Sequence, residues 1–188
     1  MRIAVLLHAG DHRTELAGYI VSHLARFWRE DGHDVVYLFG TNHREPADIL
    51  FVHVNLSVVP TEYIEFASHY DVVVNAGIRD IRKSTISRNI VRLGDAWDGP
   101  VIVKSDLNYG GQPERFLQQS WLQRHSRFWQ AAIDVASRRI GRYPEFFSSH
   151  DYKIYDRIAD VPSAWFGGRR LVVERFRPEV ENALYRLR

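Results

Sequence analysis

The sequence predicts an α/β fold in which a Rossmann-like parallel sheet is followed by a smaller α+β region. The first observation is a series of short apolar runs, each long enough for one strand: RIAVLLH at 2–8, DVVYLFG at 34–40, ILFVHVN at 49–55 and DVVVNAG at 71–77. The second observation is that segments with helical periodicity separate some of these runs. Strands that are apolar on both faces and alternate with helices are typical of a parallel sheet covered on both sides.

The helices of this first part are predicted from apolar spacing and end signals. The first helix ends at Gly32 and carries four apolar residues at helical spacing: Leu16, Ile20, Leu24 and Phe27. A short helix is predicted from Pro60 to His69. A third helix is expected to start at a cap on Ser84 or Thr85 and to run through Arg92.

Beyond Pro100 the pattern changes to strands of mixed spacing around one long helix. VIVK at 101–104 reads as a strand, and an aromatic stripe predicts a helix over 113–139. Three further elements are expected: strands at 152–156 and 170–176, and a turn of helix at 158–165. The aromatic stripe of helix 113–139 can serve as core or as a self-association face that forms a homo-oligomer.

Composition excludes several classes of protein. The 188 residues include 45% apolar residues, enough for a packed core, and no cysteine, so disulfides and thiolate metal sites are excluded. The net charge of +2 does not indicate a nucleic-acid partner. No segment approaches the roughly 18 consecutive apolar residues of a membrane span, and we expect a cytoplasmic protein with no membrane partner.

Polar side chains stand where the predicted parallel strands end, and ligands bind at this edge of such sheets. These residues are His8, His53, Asn55 and Asn75. They can line a pocket for a polar substrate, or each can hydrogen-bond its own loop. The first strand is followed by HAGDHR rather than GxGxxG, which disfavours NAD and FAD. HExxH and GxSxG are absent, so neither a zinc site nor a hydrolase triad is supported.

The stretch VIVKSDLNYGG at 101–111 combines a strand, a lysine and two glycines. Gly110 and Gly111 can adopt positive φ, and backbone N–H groups in such a loop can form an anion site. Lys104 at the end of the strand would add a positive charge for a phosphate. A tight strand-to-helix turn, with Lys104 extending to solvent, explains the same residues.

Three stretches, DIRKSTISRNI at 80–90, GPVIVKSDLNYGG at 99–111 and LVVERFRPE at 171–179, together resemble the ATP-grasp superfamily of carboxylate–amine ligases, such as glutathione synthetases. The resemblance implies a Rossmann-like pre-ATP-grasp domain at 1–95 and part of an ATP-grasp module at 96–188. It also implies that Lys104 and Lys83 meet the phosphates of ATP. Other residues that it implicates in binding ATP are Asn108, Gly110, Gly111 and Lys153.

The resemblance further implies a hinge at the last strand. Glu174 is similar to the first hinge residue, and the backbone near Phe176 and Arg177 would pair with the adenine edge. Glu179 or Glu181 would accept hydrogen bonds from the ribose. The substrates implied are a small-molecule carboxylate and an amine or similar nucleophile, joined through an acylphosphate.

The sequence departs from the family in two ways. The long helix 113–139 intervenes before YKIYD at 152–156, where the family joins two strands directly. The second subdomain, which in the family holds Mg²⁺, is missing, so we expect a natural chain that continues past Arg188, metal ligands outside this chain, and no ligase activity from these 188 residues alone. The alternatives are a non-catalytic nucleotide-binding or oligomerisation module, or half of a glycosyltransferase.

Overall fold

The computed structural model describes residues 1–11, 18–118, 152–167 and 171–177, and these residues form two compact units. The described part of the first unit is 1–11, 18–81 and 112–118, and that of the second is 82–111, 152–167 and 171–177. The chain therefore leaves the first unit after Ile81 and returns to it at Gln112. These bounds differ from the domains at 1–95 and 96–188 that the sequence predicts.

The first unit contains a parallel sheet of four strands, so the predicted mixed α/β class is confirmed. The strands are β1 (Arg2–Leu7), β2 (Asp34–Phe39), β3 (Ile49–Val52) and β4 (Val73–Val74), in the spatial order β2-β1-β3-β4. The helices of this unit are α1 (Ile20–Glu30), α2 (Thr61–Ala67) and α4 (Gln112–Gln118). The chain passes from β1 to β2 on one side, and then crosses β1 to form β3 and β4 on the other side. The strand order therefore reverses between β1 and β3.

Strand β1 is buried on both faces, as its continuous apolar sequence predicts. Ala4 and Leu6 point to one side, where they pack in a cluster with Tyr63 and Phe66 of α2. The alternate residues Ile3, Val5 and Leu7 belong to a second cluster with Val21 and Ala25 of α1. Helices thus cover both faces of the sheet, and the carboxyl end of β1 is held at its centre.

Helix α1 turns a different face to the core than its sequence predicts. The buried residues are Val21 and Ala25, while Ile20 and Phe27 are mostly exposed. Val21, Ala25 and Trp28 also recur at helical spacing, so periodicity alone admits two faces on this helix. The small side chain of Ala25 suits close packing against the sheet, and this packing selects the second face.

The second unit contains an antiparallel sheet of three strands: β5 (Val101–Ser105), β6 (Lys153–Tyr155) and β7 (Leu171–Arg175), in the order β6-β5-β7. Two short 3₁₀ turns, Ile158–Asp160 and Ser163–Trp165, occupy the predicted turn of helix at 158–165. Val101, Val103 and Val173 lie on one face of this sheet and form an apolar cluster with Ile158 and Val161.

The predicted helix through Arg92 is wrong, because α3 (Lys83–Ile86) ends after one turn. Ser87 is extended, and the segment after it lies along the outer edge of β7, on the side away from β5. There the Val91 amide donates to the Val173 carbonyl, and the Arg175 amide donates to the Asn89 carbonyl, both within 2.9 Å. Hydrogen bonding to the sheet thus replaces the helix in this segment. Of the predicted helix 113–139, residues 119–139 lie outside the described residues.

The described helices include none that is both long and apolar enough to span a bilayer.

Replacing Leu6 with alanine tests the role of β1. Leu6 is completely buried, so Leu6→Ala should lower the free energy of unfolding by about 3 kcal/mol, through lost burial and the cavity it leaves. Chemical denaturation followed by circular dichroism measures this loss. The matched change Leu93→Ala, at a mostly exposed leucine, should alter stability by less than about 0.5 kcal/mol. Equal effects of the two substitutions would contradict a core centred on β1.

Candidate functional site

The residues predicted from the sequence fall into two groups, one in each unit. His8, His53, Asn55 and Asn75 belong to the first unit, at the carboxyl ends of β1, β3 and β4. The candidate nucleotide-binding residues that the structure describes belong to the second unit. Each group is built by its own sheet.

Directly after β1, the backbone amides of residues 8–11 all have hydrogen-bond partners. The amide of His8 donates to the Asp11 carboxylate at 3.1 Å, and that of Asp11 donates to the His8 carbonyl at 2.9 Å. The amide of Gly10 donates to Nδ1 of the His8 ring at 2.9 Å. The amide of Ala9 donates to the Tyr63 hydroxyl at 3.0 Å, and the Tyr63 ring stacks on that of His8. His8 therefore has a structural role in this loop.

A chain of hydrogen bonds joins the ends of β1 and β3. Asn55 donates from Nδ2 to the Tyr19 hydroxyl at 3.2 Å, and that hydroxyl donates to Asp11 at 2.8 Å. Asp11 is only 4% exposed. Among the described residues, no lysine or arginine forms an ion pair with Asp11, so its hydrogen bonds come from one hydroxyl and one amide. These hydrogen bonds hold the negatively charged Asp11 carboxylate at the crevice between β1 and β3.

His53 is held beside this chain by packing rather than by a side-chain hydrogen bond. Its ring meets the Tyr19 ring edge-on, with centroids 5.1 Å apart. Nε2 of His53 is shielded from solvent and has no hydrogen-bond partner in the described part of the chain. Burial lowers the pKa of the imidazole below its usual 6.5, and the nearby Asp11 charge opposes this shift only in part. The lowered pKa favours the neutral form of the ring at pH 7.

Asn75 lies at the end of β4 with a positive φ of 68°, which asparagine tolerates better than most residues. Its Nδ2 is 3.4 Å from the Val52 carbonyl, at the end of β3, so the bond is long. Five residues after β3 ends, the amide of Ser57 donates to the buried carboxylate of Glu114 at 2.6 Å. The other carboxylate oxygen of Glu114 has no partner within the described ranges.

The low pKa of His53 predicts a pH dependence of stability. The unfolded chain takes up a proton near pH 6.5 and the folded chain only at lower pH, so protonation favours unfolding. The full contribution is present above pH 6.5 and is lost as the pH falls from there to the folded pKa. We expect the difference in unfolding free energy between pH 7.5 and pH 5.5 to be smaller in His53→Gln than in the wild type. Equal pH dependence in chemical denaturation would show that His53 is not buried as a neutral ring.

In the second unit, Lys104 and Glu174 meet on one face of the antiparallel sheet. Ile102 pairs with Glu174 and Lys104 pairs with Val172, so the two charged residues are diagonal neighbours across β5 and β7. The Lys104 ammonium lies 2.7 Å from the Glu174 carboxylate. The Glu174 side chain is 8% exposed and that of Lys104 is 26% exposed. The apolar cluster of Val101, Val103 and Val173 occupies the opposite face.

Lys83 is attached to the segment that follows β5. The buried Asp106 accepts hydrogen bonds from the amide and hydroxyl of Ser84 at 2.7 and 2.8 Å, and its carbonyl accepts one from the Lys83 amide. The Lys83 ammonium donates to the Leu107 carbonyl at 2.6 Å. The structure thereby brings Lys83 to the segment that begins at Asp106, two residues after Lys104.

The glycine loop takes the left-handed conformation predicted for it. Gly110 and Gly111 have φ of 67° and 75°, and Tyr109 before them also has a positive φ of 48°. Only glycine adopts this region without a Cβ penalty, so the loop needs both glycines. Asn108 begins the loop and is exposed, whereas both glycines are buried.

The structure does not bring Lys153 to Lys104. Lys153 pairs with Val103 across β5 and β6, which directs it to the face opposite Lys104, where its ammonium lies 5.2 Å from the Trp165 ring centre. Past β7, the amide of Phe176 donates to the Pro100 carbonyl at 2.8 Å. The guanidinium of Arg177 lies 5.6 Å from the Trp97 ring centre. Glu179 and Glu181 lie outside the described residues.

Sequence reasoning missed several residues at these sites: Asp11, Tyr19, Tyr63, Asp106 and Glu114. Asp11 stands three residues after His8, and this proximity was a usable signal. Tyr63 lies on α2 and Glu114 lies on α4, and no sequence motif indicates either residue. Within the described ranges, no group of three or more histidine or acidic side chains is arranged to hold a metal ion.

The ion pair of Lys104 predicts a stability effect that needs no ligand. Lys104→Met should lower the free energy of unfolding by about 3 kcal/mol, because it leaves the Glu174 carboxylate buried without a counter-charge. The double substitution Lys104→Met with Glu174→Gln should recover most of this loss, since no buried charge remains. Urea denaturation of the two variants measures the difference. Equal stability of the single and double variants would refute a coupled pair.

Comparisons of the chain with protein-family models, with curated proteins and with solved structures found no match.

Proposed function

We propose that this chain is the N-terminal part of an ATP-grasp ligase, and that its second unit binds ATP. The complete protein would phosphorylate a carboxylate and couple the acylphosphate to an amine or a similar nucleophile. Mg²⁺ would be held by residues outside this chain. We also propose a cytoplasmic location.

The observation that carries the proposal is the set of residues gathered around β5. Lys104 and Glu174 face one another on adjacent strands, and Lys83 is attached to the segment between Lys104 and the glycine loop. These residues come from three stretches that lie far apart in the sequence and match the order of the resemblance. Their meeting in one unit supports a common role in binding.

This arrangement has the charges that a triphosphate requires. Catalysis of phosphoryl transfer is mainly electrostatic, with lysine and metal charges offsetting the charge of the phosphoryl group. An ammonium group has three N–H donors, so Lys104 can keep its bond to Glu174 and still donate to a phosphate oxygen. The Phe176 amide already donates to the Pro100 carbonyl. An adenine ring at this hinge would therefore donate from its amino group to the Phe176 carbonyl.

The first unit would bind a substrate at the carboxyl ends of β1 and β3. Open parallel sheets bind ligands where the strand order reverses, and His53 and Asn55 lie at that point. His8 and Asn75 would shape this site without contacting the ligand. The His8 ring accepts a hydrogen bond from the Gly10 amide, and the Asn75 side chain donates to the Val52 carbonyl.

Isothermal titration of the 188-residue chain with MgATP tests the proposal. The wild type should bind, and Lys104→Met should weaken binding at least tenfold, about 1.4 kcal/mol, because a charge-assisted contact to phosphate is lost. The control Arg26→Met removes one positive charge from the exposed face of α1 and should leave the affinity unchanged.

A second variant separates loss of the contact from loss of the fold. The double variant Lys104→Met with Glu174→Gln lacks the buried unpaired charge and should still bind ATP weakly. If the folded double variant bound ATP as tightly as the wild type, or if the wild type did not bind ATP, the assignment would be abandoned.

A further inference from the structure

We propose that the crevice formed by Asp11, Tyr19, His53 and Asn55 is a binding site for an amine, and not for a phosphate or a carboxylate. The role of this amine as the nucleophilic substrate rests on the proposed ligase function. Amine binding itself depends on the first unit alone.

First, the four backbone amides at residues 8–11, directly after β1, are not available to an anion. Rossmann-like folds bind phosphates through backbone N–H groups at this position. Here the amides of residues 8–11 all donate within the unit, to a carboxylate, a hydroxyl, a ring nitrogen and a carbonyl. An anion bound by these four amides would have to break these bonds, so residues 8–11 disfavour phosphate and carboxylate.

The second argument is the buried negative charge. Asp11 accepts hydrogen bonds from the His8 amide and the Tyr19 hydroxyl and, within the described ranges, pairs with no cation. An ammonium group would offset this charge, whereas an anionic ligand would be repelled.

The third argument is the state of the His53 ring. Nε2 is shielded from water and has no partner in the described part of the chain, and an unsatisfied buried polar atom costs about 1–3 kcal/mol. The Tyr19 hydroxyl cannot donate to it, because that proton goes to Asp11. A neutral imidazole can accept a hydrogen bond from an amine, while it gives an anion no counter-charge. Since Nε2 is shielded, an amine reaches it through a local opening of the site.

The experiment uses the 188-residue chain with ¹⁵N-labelled histidine and follows the ring nitrogens of His53 by NMR at pH 7.5. The probes are methylammonium chloride, sodium acetate and sodium phosphate, added at equal ionic strength. His53→Gln assigns the resonances. We expect methylammonium to shift the His53 nitrogens saturably and the other two probes to leave them unchanged.

The matched variants separate charge from packing. Asp11→Asn keeps the side-chain shape and removes the charge, and it should weaken methylammonium binding at least fivefold. Glu30→Gln removes one exposed negative charge from α1, outside the crevice, and it should retain binding. Circular dichroism verifies the fold of each variant. If Asp11→Asn unfolds, the comparison of the three probes on the wild type still decides whether the crevice binds an amine or an anion.

Three results would overturn the proposal: saturable shifts with acetate or phosphate, the same small drift with all three salts, or unaltered methylammonium affinity in folded Asp11→Asn. The second result would mean that none of the three salts binds specifically at His53. Titration of the same sample with MgATP keeps the two proposals apart. ATP binding without amine binding refutes only this inference, and amine binding without ATP binding refutes only the nucleotide assignment.

Discussion

The burial of β1 on both faces is the constraint on which the first unit depends. Its alternate side chains enter two separate apolar clusters, so β1 must be an interior strand with neighbours on both edges. The position of β1 makes the β1–β3 boundary the point where the strand order reverses. Loops diverge at such a point, and polar groups from β1 and β3 can approach there without disturbing the core.

Both candidate sites contain a buried carboxylate, but its surroundings differ. In the second unit Glu174 is met by the Lys104 ammonium, and Asp106 caps α3, so each carboxylate has a defined partner. In the described part of the first unit, Asp11 accepts hydrogen bonds from one hydroxyl and one amide, and burial lowers the pKa of the nearby His53 ring. The difference suits opposite ligand charges: a lysine-containing sheet face for phosphate and an acidic crevice for an amine. This division matches two of the three reactants of the proposed ligase, ATP and the amine.

Much of the fold could be predicted from the sequence, because each early strand is a continuous apolar run. The left-handed glycine loop was also predictable, because two adjacent glycines mark a backbone that other residues avoid. The buried face of α1 was not, because two apolar stripes compete on that helix. The end of α3 was not predictable either, because the hydrogen bonds between residues 89–91 and β7 are long-range.

The sequence by itself determined the α/β class, the strand-forming segments and the positions of His53, Asn55 and Lys104 at or near strand ends. Tertiary structure alone decided which of these residues meet. The register of β5 and β7 placed Glu174 against Lys104, and that of β5 and β6 turned Lys153 to the other face. Likewise, Tyr19 and Tyr63 reached the β1 loop only through helix packing. Pairing between distant segments sets these contacts, and local spacing in a sequence does not encode it.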